Sequence, residues 1–350
     1  MNRLDESVAA VDGHGFAITP LTLQPSLAAR LGLRGRLWVK DETGNVAGSH
    51  KARHLFGSML HLAIAEDDQG ELVIASCGNA ALAAAVVARA AEKPLRVFVP
   101  TWADPAIVKR LEKLEATIEV NERPGQSVGD PTVAAMIAAI DEGATPFSVQ
   151  GSVTESALDG GRTLGWELAE QLALARAAGR IEIFVQVGGG ALAASTWQGL
   201  TDGIREQWLG AEPVIHTVQT EAVAPLNRAW RLLLAESDGD PELAIESARR
   251  HPQTYMWAWE NVGTSVASGI LDDVTYDWLP VIDAMLRTGG EAHVVSEQMV
   301  KDANSLAREL TGIEVDATGS SGASALLDPA VAERVVGDVV VLFTAKMGIQ

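Results

Sequence analysis

Trp38-Val39-Lys40-Asp41-Glu42-Thr43-Gly44-Asn45-Val46-Ala47-Gly48-Ser49-His50-Lys51-Ala52-Arg53 runs an apolar strand into a turn and presents a lysine where a helix begins. Lys51 shares the i, i+4 and i+7/8 spacing of one helical face with Leu55, Met59 and Leu62, so its stem is expected on the apolar, inward side. Burial and the positive end of the helix both disfavour an ammonium there. Together they lower a lysine's pKa toward a nucleophilic, Schiff-base-forming amine. The competing reading is a surface lysine in a first helical turn, and the segments on either side decide between them.

At 350 residues and 47% hydrophobic content, the chain is long enough for two closely packed domains and is not a disordered polymer. No apolar run reaches membrane-spanning length without charge. Met1 to Asp12 mixes acids with polar residues and lacks the apolar core of a signal peptide, so a cytoplasmic protein with no membrane partner is expected. A balance of 27 Lys+Arg against 46 Asp+Glu, a formal charge of -19, argues against nucleic acid or an anionic membrane as partner, because phosphate binding needs a basic surface. Cys77 is the only cysteine, which excludes an intrachain disulfide and a multi-cysteine metal site. No metal is assigned.

From about residue 37, strand-like runs rich in Val and Ile alternate with Ala- and Leu-rich helical stretches, the pattern of a parallel α/β sheet. Strands are expected at 37–40, 72–75, 96–99, 118–120, 147–149, 181–187, 214–218, 292–296 and 338–343. Helices are expected at 50–66, 79–92, 105–115, 131–142, 161–178, within 223–250, at 297–311 and at 320–335. The segment from His251 to Leu279, with Trp257, Trp259 and Trp278, is the least regular, and its spacing assigns it no role.

Two further strand-to-helix turns carry small polar residues or glycine, where open α/β sheets place their ligands. Ser76-Cys77-Gly78-Asn79 follows the strand ending at Ala75; its backbone N–H groups suit an anion such as a substrate carboxylate, and Gly78 permits close approach. In the plainer reading Ser76 or Asn79 merely caps the helix. Gly188-Gly189-Gly190-Ala191 follows an almost wholly apolar strand and opens a helix, which makes it a candidate phosphate cradle rather than a flexible turn. The Walker spacing and the G-x-G-x-x-G fingerprint are both missing, so neither a nucleotide nor a Rossmann oxidoreductase is expected.

A reactive lysine, an amide-bearing anion loop and a glycine phosphate cup on one α/β scaffold suggest pyridoxal 5′-phosphate (PLP). In order, Thr43-Gly44-Asn45…Gly48-Ser49-His50-Lys51, Ser76-Cys77-Gly78-Asn79, Gly188-Gly189-Gly190-Ala191 and Val341-Leu342-Phe343-Thr344 resemble the fold type II PLP enzymes. That family includes threonine synthase, serine/threonine ammonia-lyases, cysteine synthase and the tryptophan synthase β subunit. The resemblance runs from about Thr19 to the C-terminus. It implies two open, mostly parallel sheets flanked by helices, with the active site in the interdomain cleft. Residues 1–45 and 156–350 would form a large PLP-binding domain and 46–155 a small inserted one.

The same resemblance implies that Lys51 carries the cofactor as a Schiff base and then acts as general base, and that Asn79 bonds the cofactor's 3′ oxygen. Gly188, Gly189, Gly190 and Ala191 would hold its phosphate. Thr344 would face the pyridine nitrogen, and Ser76, Cys77 and Gly78 would hold the substrate carboxylate. A neutral hydroxyl at Thr344 does not keep that nitrogen protonated, which makes the ring a weaker electron sink and favours elimination at the substrate β-carbon over transamination.

Four features depart from the family pattern. Many relatives have Ser or Thr at Cys77, the phosphate turn ends in Ala191 rather than a fourth glycine, His50 precedes the lysine as in tryptophan synthase-type members, and Thr344-Ala345-Lys346-Met347-Gly348 is longer and more charged than the usual close. Lys346 either meets an acidic substrate group or is simply exposed. Glu221 lies where some relatives bind a cation, but one carboxylate is no metal site.

The expected function is a PLP-dependent lyase that removes a hydroxyl or similar group from a small amino acid, as serine and threonine ammonia-lyases do, working as a homodimer. The alternatives are a threonine synthase- or tryptophan synthase-like enzyme, in which a second nucleophile adds to the same intermediate, and a catalytically silent PLP-binding interaction subunit.

Overall fold

The computed structural model describes residues 1–65, 70–122, 130–177 and 179–346. Glu66 and Ala178, at the ends of two expected helices, and Met347 and Gly348 lie outside the described residues. In chain order the first elements are α1 (Asn2–Asp12), β1 (Leu21–Leu23), α2 (Pro25–Arg30), β2 (Leu37–Asp41), α3 (Lys51–Ile64), β3 (Leu72–Ala75) and α4 (Asn79–Ala90). There follow β4 (Leu95–Pro100), α5 (Pro105–Lys113), β5 (Thr117–Asn121), α6 (Pro131–Asp141), β6 (Thr145–Pro146), α7 (Ser156–Leu174), β7 (Ile181–Gln186), α8 (Ala191–Arg205) and β8 (Val214–Thr220). The chain continues through α9 (Pro225–Glu236), α10 (Pro241–Arg250), α11 (Pro252–Tyr255), α12 (Trp278–Thr288), β9 (Ala292–Val295), α13 (Glu297–Thr311), α14 (Ala317–Ser320), α15 (Pro329–Arg334) and β10 (Asp338–Phe343).

These elements form two compact units. The first holds Met1–Ile18 and Gly44–Gly161; the second holds Thr19–Thr43 and the chain from Arg162 onward. In the first unit a four-stranded parallel sheet has the order β5-β4-β3-β6. Alternation along its strands sends Leu72, Ile74, Val97 and Val99 to one face, where they pack with Leu55 and Met59 of α3 and the alanines of α4. Val73 and Phe98 point the other way, onto Met136 and Ala139 of α6.

Residues 1–45 are expected from the sequence in the large domain, whereas Met1–Ile18 belong to the first unit. Leu4, Val8 and Val11 of α1 supply the reason, since they join the core built by α3 and α4. Their i, i+4, i+7 spacing is helical.

The second unit is built on a six-stranded sheet, β1-β2-β10-β7-β8-β9, parallel throughout except for the antiparallel edge strand β1. Every residue of β7, β8 and β10 is buried, as parallel strands covered on both faces require. Leu37, Val39, Phe184, Val218, Val339, Val341 and Phe343 pack in one cluster with α2, α13 and α15.

The strand placed at 147–149 and the helix placed at 320–335 differ from the structure. The strand placed at 147–149 is found at Thr145–Pro146. Phe147 still donates its N–H to Val73 O at 2.9 Å, but the Ser148 N–H turns to Thr154 Oγ1 at 3.1 Å and the chain leaves the sheet. The helix placed at 320–335 is broken into α14, a 3-10 turn over Ser321–Leu327, and α15. Asp328 precedes Pro329, which disfavours a helical conformation, and its side chain instead accepts the Ala330 N–H at 2.9 Å. The segment from His251 to Leu279 contains α11 and a 3-10 turn at Ser268–Ile270, and it leads into α12.

Along β7, β8 and β9 lies an inward-facing polar group. His216 accepts the Glu291 N–H on Nδ1 at 3.2 Å, so its proton sits on Nε2, 3.0 Å from Glu182 Oε2. His293 Nε2 is 3.4 Å from the same Nδ1, and burial above all pushes the His293 pKa down to about 4 from 6.5. Between those values the unfolded chain binds a proton that the folded one refuses, so stability falls as pH drops through that window. The loss from pH 7 to pH 5 is expected to be about 2 kcal/mol. Replacing His293 with Phe should flatten the pH dependence of the melting temperature over that range; equal acid sensitivity in wild type and variant would contradict it.

Candidate active site

Lys51 opens α3 after a turn whose conformation is unusual for its residues. Asn45 Oδ1 accepts the Val46 N–H at 2.8 Å, and both Ala47 (φ +54°) and Gly48 (φ +71°) are left-handed. An alanine there costs about 1–2 kcal/mol, and the contact that offsets it comes from α1: Asp12 Oδ2 accepts the Ala47 N–H at 2.9 Å. Arg110 holds the other Asp12 oxygen at 3.6 Å. Below the lysine, Leu55 and Met59 are buried as the helical spacing predicts, while Lys51 itself is half-buried.

Ser76, Cys77, Gly78 and Asn79 form the passage from β3 to α4 in the same unit. Gly78, rather than Ser76 or Asn79, is the N-cap of α4. Ser76 Oγ lies a long 3.4 Å from the Gly78 N–H, and the first backbone bond of the helix is Leu82 N–H to Gly78 O at 3.2 Å. A Cβ at Gly78 would meet no atom within 4 Å, so the turn faces open space. Cys77 is half-buried and packs against the core of this unit.

Gly188, Gly189, Gly190 and Ala191 join β7 to α8 in the second unit. Here the glycines are required individually. A Cβ on Gly188 would lie 2.3 Å from Asp272 Oδ2 and 2.8 Å from Ile270 Cα. Gly190 has φ +97°, and a Cβ there would press on Thr275 Cγ2 at 3.0 Å. Gly189 O accepts the Asp277 N–H at 2.8 Å. Gly190 is also an N-cap with no side-chain bond to the helix, and among the described residues the first amide to find an acceptor along α8 is Ala194 N–H, 3.0 Å from Gly190 O. The amides of Ala191 to Ala193 thus face outward from a positive helix end, which is the donor set a phosphate takes.

Thr344 follows β10, which pairs with β7, so its hydroxyl and the glycine turn sit at the carboxyl ends of neighbouring parallel strands. That is where open α/β sheets bind ligands. The Thr344 side chain is buried, and its Oγ1 accepts from Gln186 Nε2 at 2.9 Å. Lys346 is half-buried in an isolated antiparallel bridge with Val315.

Lys51 and Ser76–Asn79 therefore belong to the first unit, and Gly188–Ala191 and Thr344 to the second. Sequence spacing missed Gln186, Asp272, Thr275 and Asp277. Three of these come from the irregular 251–279 segment, which thereby gains a role as the packing that shapes the glycine turn. Gln219 braces the same turn, donating from Nε2 to Val187 O at 3.3 Å. Only one signal was available in the sequence: a glutamine inside the apolar run Ile181-Glu182-Ile183-Phe184-Val185-Gln186-Val187.

The family model for pyridoxal-phosphate dependent enzymes matches residues 14–345, and the chain belongs to that family; its cofactor is PLP. Among solved structures, a threonine deaminase from T.th. is 20% identical, with a TM-score of 0.73 over 99% of this chain and 97% of that one. Maize serine racemase is 17% identical, with a TM-score of 0.72 over 100% and 93% of the two chains. An L-serine ammonia-lyase from Rhizomucor miehei is 19% identical, with a TM-score of 0.72 over 95% of each. The fold is thus the tryptophan synthase β-like, type II arrangement. No curated protein matches the chain by sequence.

The residues present fit this cofactor. Within the second unit, helix amides beyond required glycines suit its phosphate and a buried hydroxyl at Thr344 suits a ring nitrogen. Gly190→Ala should cost about 1–2 kcal/mol from the left-handed backbone alone and weaken PLP binding. Gly78→Ala should lower the melting temperature less, and paired melting and PLP-titration curves of the two variants check the contrast.

Proposed function

We propose that the protein is a PLP-dependent lyase catalysing α,β-elimination on a small amino acid, in the manner of serine and threonine ammonia-lyases. The observation that carries this reading is the neutral, buried hydroxyl of Thr344 at the end of β10, in place of a carboxylate that would hold a ring nitrogen protonated. Bound PLP supplies an electron sink for charge developing at the substrate α-carbon. A modest sink favours prompt loss of a β-substituent over the reprotonation that transamination needs.

Each residue then has a task. Lys51 Nζ attaches the cofactor, and once released takes the proton from the substrate α-carbon, a position its place on the first turn of α3 suits. Asn79 bonds the 3′ oxygen, and the amides of the Ser76–Gly78 turn hold the substrate carboxylate. Gly188, Gly189, Gly190 and Ala191 hold the phosphate, with Asp272, Thr275 and Asp277 keeping the turn in shape.

The test is a panel of amino acids offered to the PLP-loaded protein, with ammonia and 2-oxo acid measured together. Release of both from serine, threonine or a similarly β-substituted amino acid is expected, with loss of about 1,000-fold or more in rate in Lys51→Ala, in line with removal of a nucleophile and base. The Lys51→Ala protein should also lack the visible absorbance of lysine-bound cofactor. Product formed only when a second nucleophile or a phosphate-bearing substrate is added would move the assignment to a synthase. Inversion of the α-carbon without ammonia release would move it to a racemase, and no turnover of any amino acid would leave a silent PLP-binding subunit.

A further inference from the structure

Gln186, the last residue of β7, is buried and places its side-chain amide under Thr344. Its Nε2 is 2.7 Å from Gly319 O, 3.3 Å from Thr318 O, 3.3 Å from Leu342 O and 2.9 Å from Thr344 Oγ1. Three of those four partners are carbonyls, which only accept. They fix which end of the amide carries the nitrogen, because turning it over would set Oε1 against three carbonyl oxygens. This orientation is kept although Oε1 is left buried with no partner. It is also kept by close packing, since a Cβ on Gly322 would come within 2.8 Å of that Oε1 and of Phe184 O.

With its nitrogen fixed, Gln186 donates to Thr344 Oγ1, and the hydroxyl proton must therefore point away from Gln186. We propose that Gln186 is a positioning residue that makes Thr344 a hydrogen-bond donor to the ring nitrogen of PLP, and so holds that nitrogen unprotonated. A hydroxyl that donates needs a lone pair opposite it, which the unprotonated nitrogen has and the protonated one lacks. The proposal rests on Thr344 facing the ring nitrogen, and it extends that reading by one residue into the sheet. Gln186 thereby tunes the strength of the electron sink without touching the cofactor.

The test uses protein loaded with PLP carrying 15N in the ring, with Gln186→Met, Thr344→Val and the double variant compared with wild type. The readouts are the 15N resonance across the neutral pH range and the PLP dissociation constant. Wild type is expected to hold the unprotonated resonance throughout. Gln186→Met should shift it toward the protonated form at the acid end and weaken PLP binding about five- to tenfold, the worth of one hydrogen bond to the cofactor. Because Gln186 acts through Thr344, the double variant should bind PLP no more weakly than Thr344→Val alone.

Factors that multiply in the double variant, or a Gln186→Met resonance identical to wild type, would make Gln186 a purely structural residue and overturn the proposal. A resonance unmoved by Thr344→Val would overturn it for a different reason, by removing Thr344 from the ring nitrogen. Neither of these outcomes bears on whether the protein releases ammonia. If Gln186→Met does not fold, Gln186→Leu removes the same donor in a similar volume, and a resonance identical to wild type there would again overturn the proposal.

Discussion

The pairing of β10 between β2 and β7 is the constraint on which the second unit depends. Three parallel strands buried on both faces leave no water for their backbone groups, so every N–H and C=O must find its partner in the ladder. Once that register is set, with Val341 beside Phe184 and Val39, the strand ends are fixed as well. Thr344, Gln186 and the glycine turn emerge together at the carboxyl edge. What stands at this edge is a backbone turn and two neutral side chains joined by a hydrogen bond.

The turns at Gly78 and at Gly188–Gly190 use their glycines in different ways. At Gly78 the glycine leaves a volume empty, and at Gly188 and Gly190 it lets other parts of the chain come close. In both cases the helix that follows begins without a side-chain cap, which leaves its first amides available to a ligand. At Gly190 the left-handed backbone also bars the serine or aspartate that ordinarily caps a helix.

Much of this was legible in the residues. Buried parallel strands announce themselves as Val- and Ile-rich runs, and β2, β3, β4, β7, β8 and β10 fall within a residue or two of where those runs lie. Lys51, the Ser76–Asn79 turn and the glycine turn are local signals, each a strand end followed by small residues and a helix. What could not be read depends on contacts distant in sequence. Asp272 meets Gly188 across 84 positions, and Gln186 meets Thr344 across 158. The broken helix after Ser320 was missed for a local reason: apolar spacing continues through Pro329, while the backbone before a proline does not. Residues 1–18 were misplaced because a helix of mixed composition declares its partner only through packing.

The position of β10 also bears on how the protein comes to fold. It is the last of the described strands, yet it occupies the interior of the sheet, and the Arg36–Asp338 ion pair beside it joins residues 302 apart. During synthesis β2 and β7 are complete long before the strand that belongs between them, and each exposes an unpaired edge in the meantime. Such an ordering, with its long loop closures, favours slow assembly and leaves the nascent chain open to edge-to-edge association. The first unit, whose sheet is made from residues 72–146, carries no such dependence and can be complete while the second still waits for its centre.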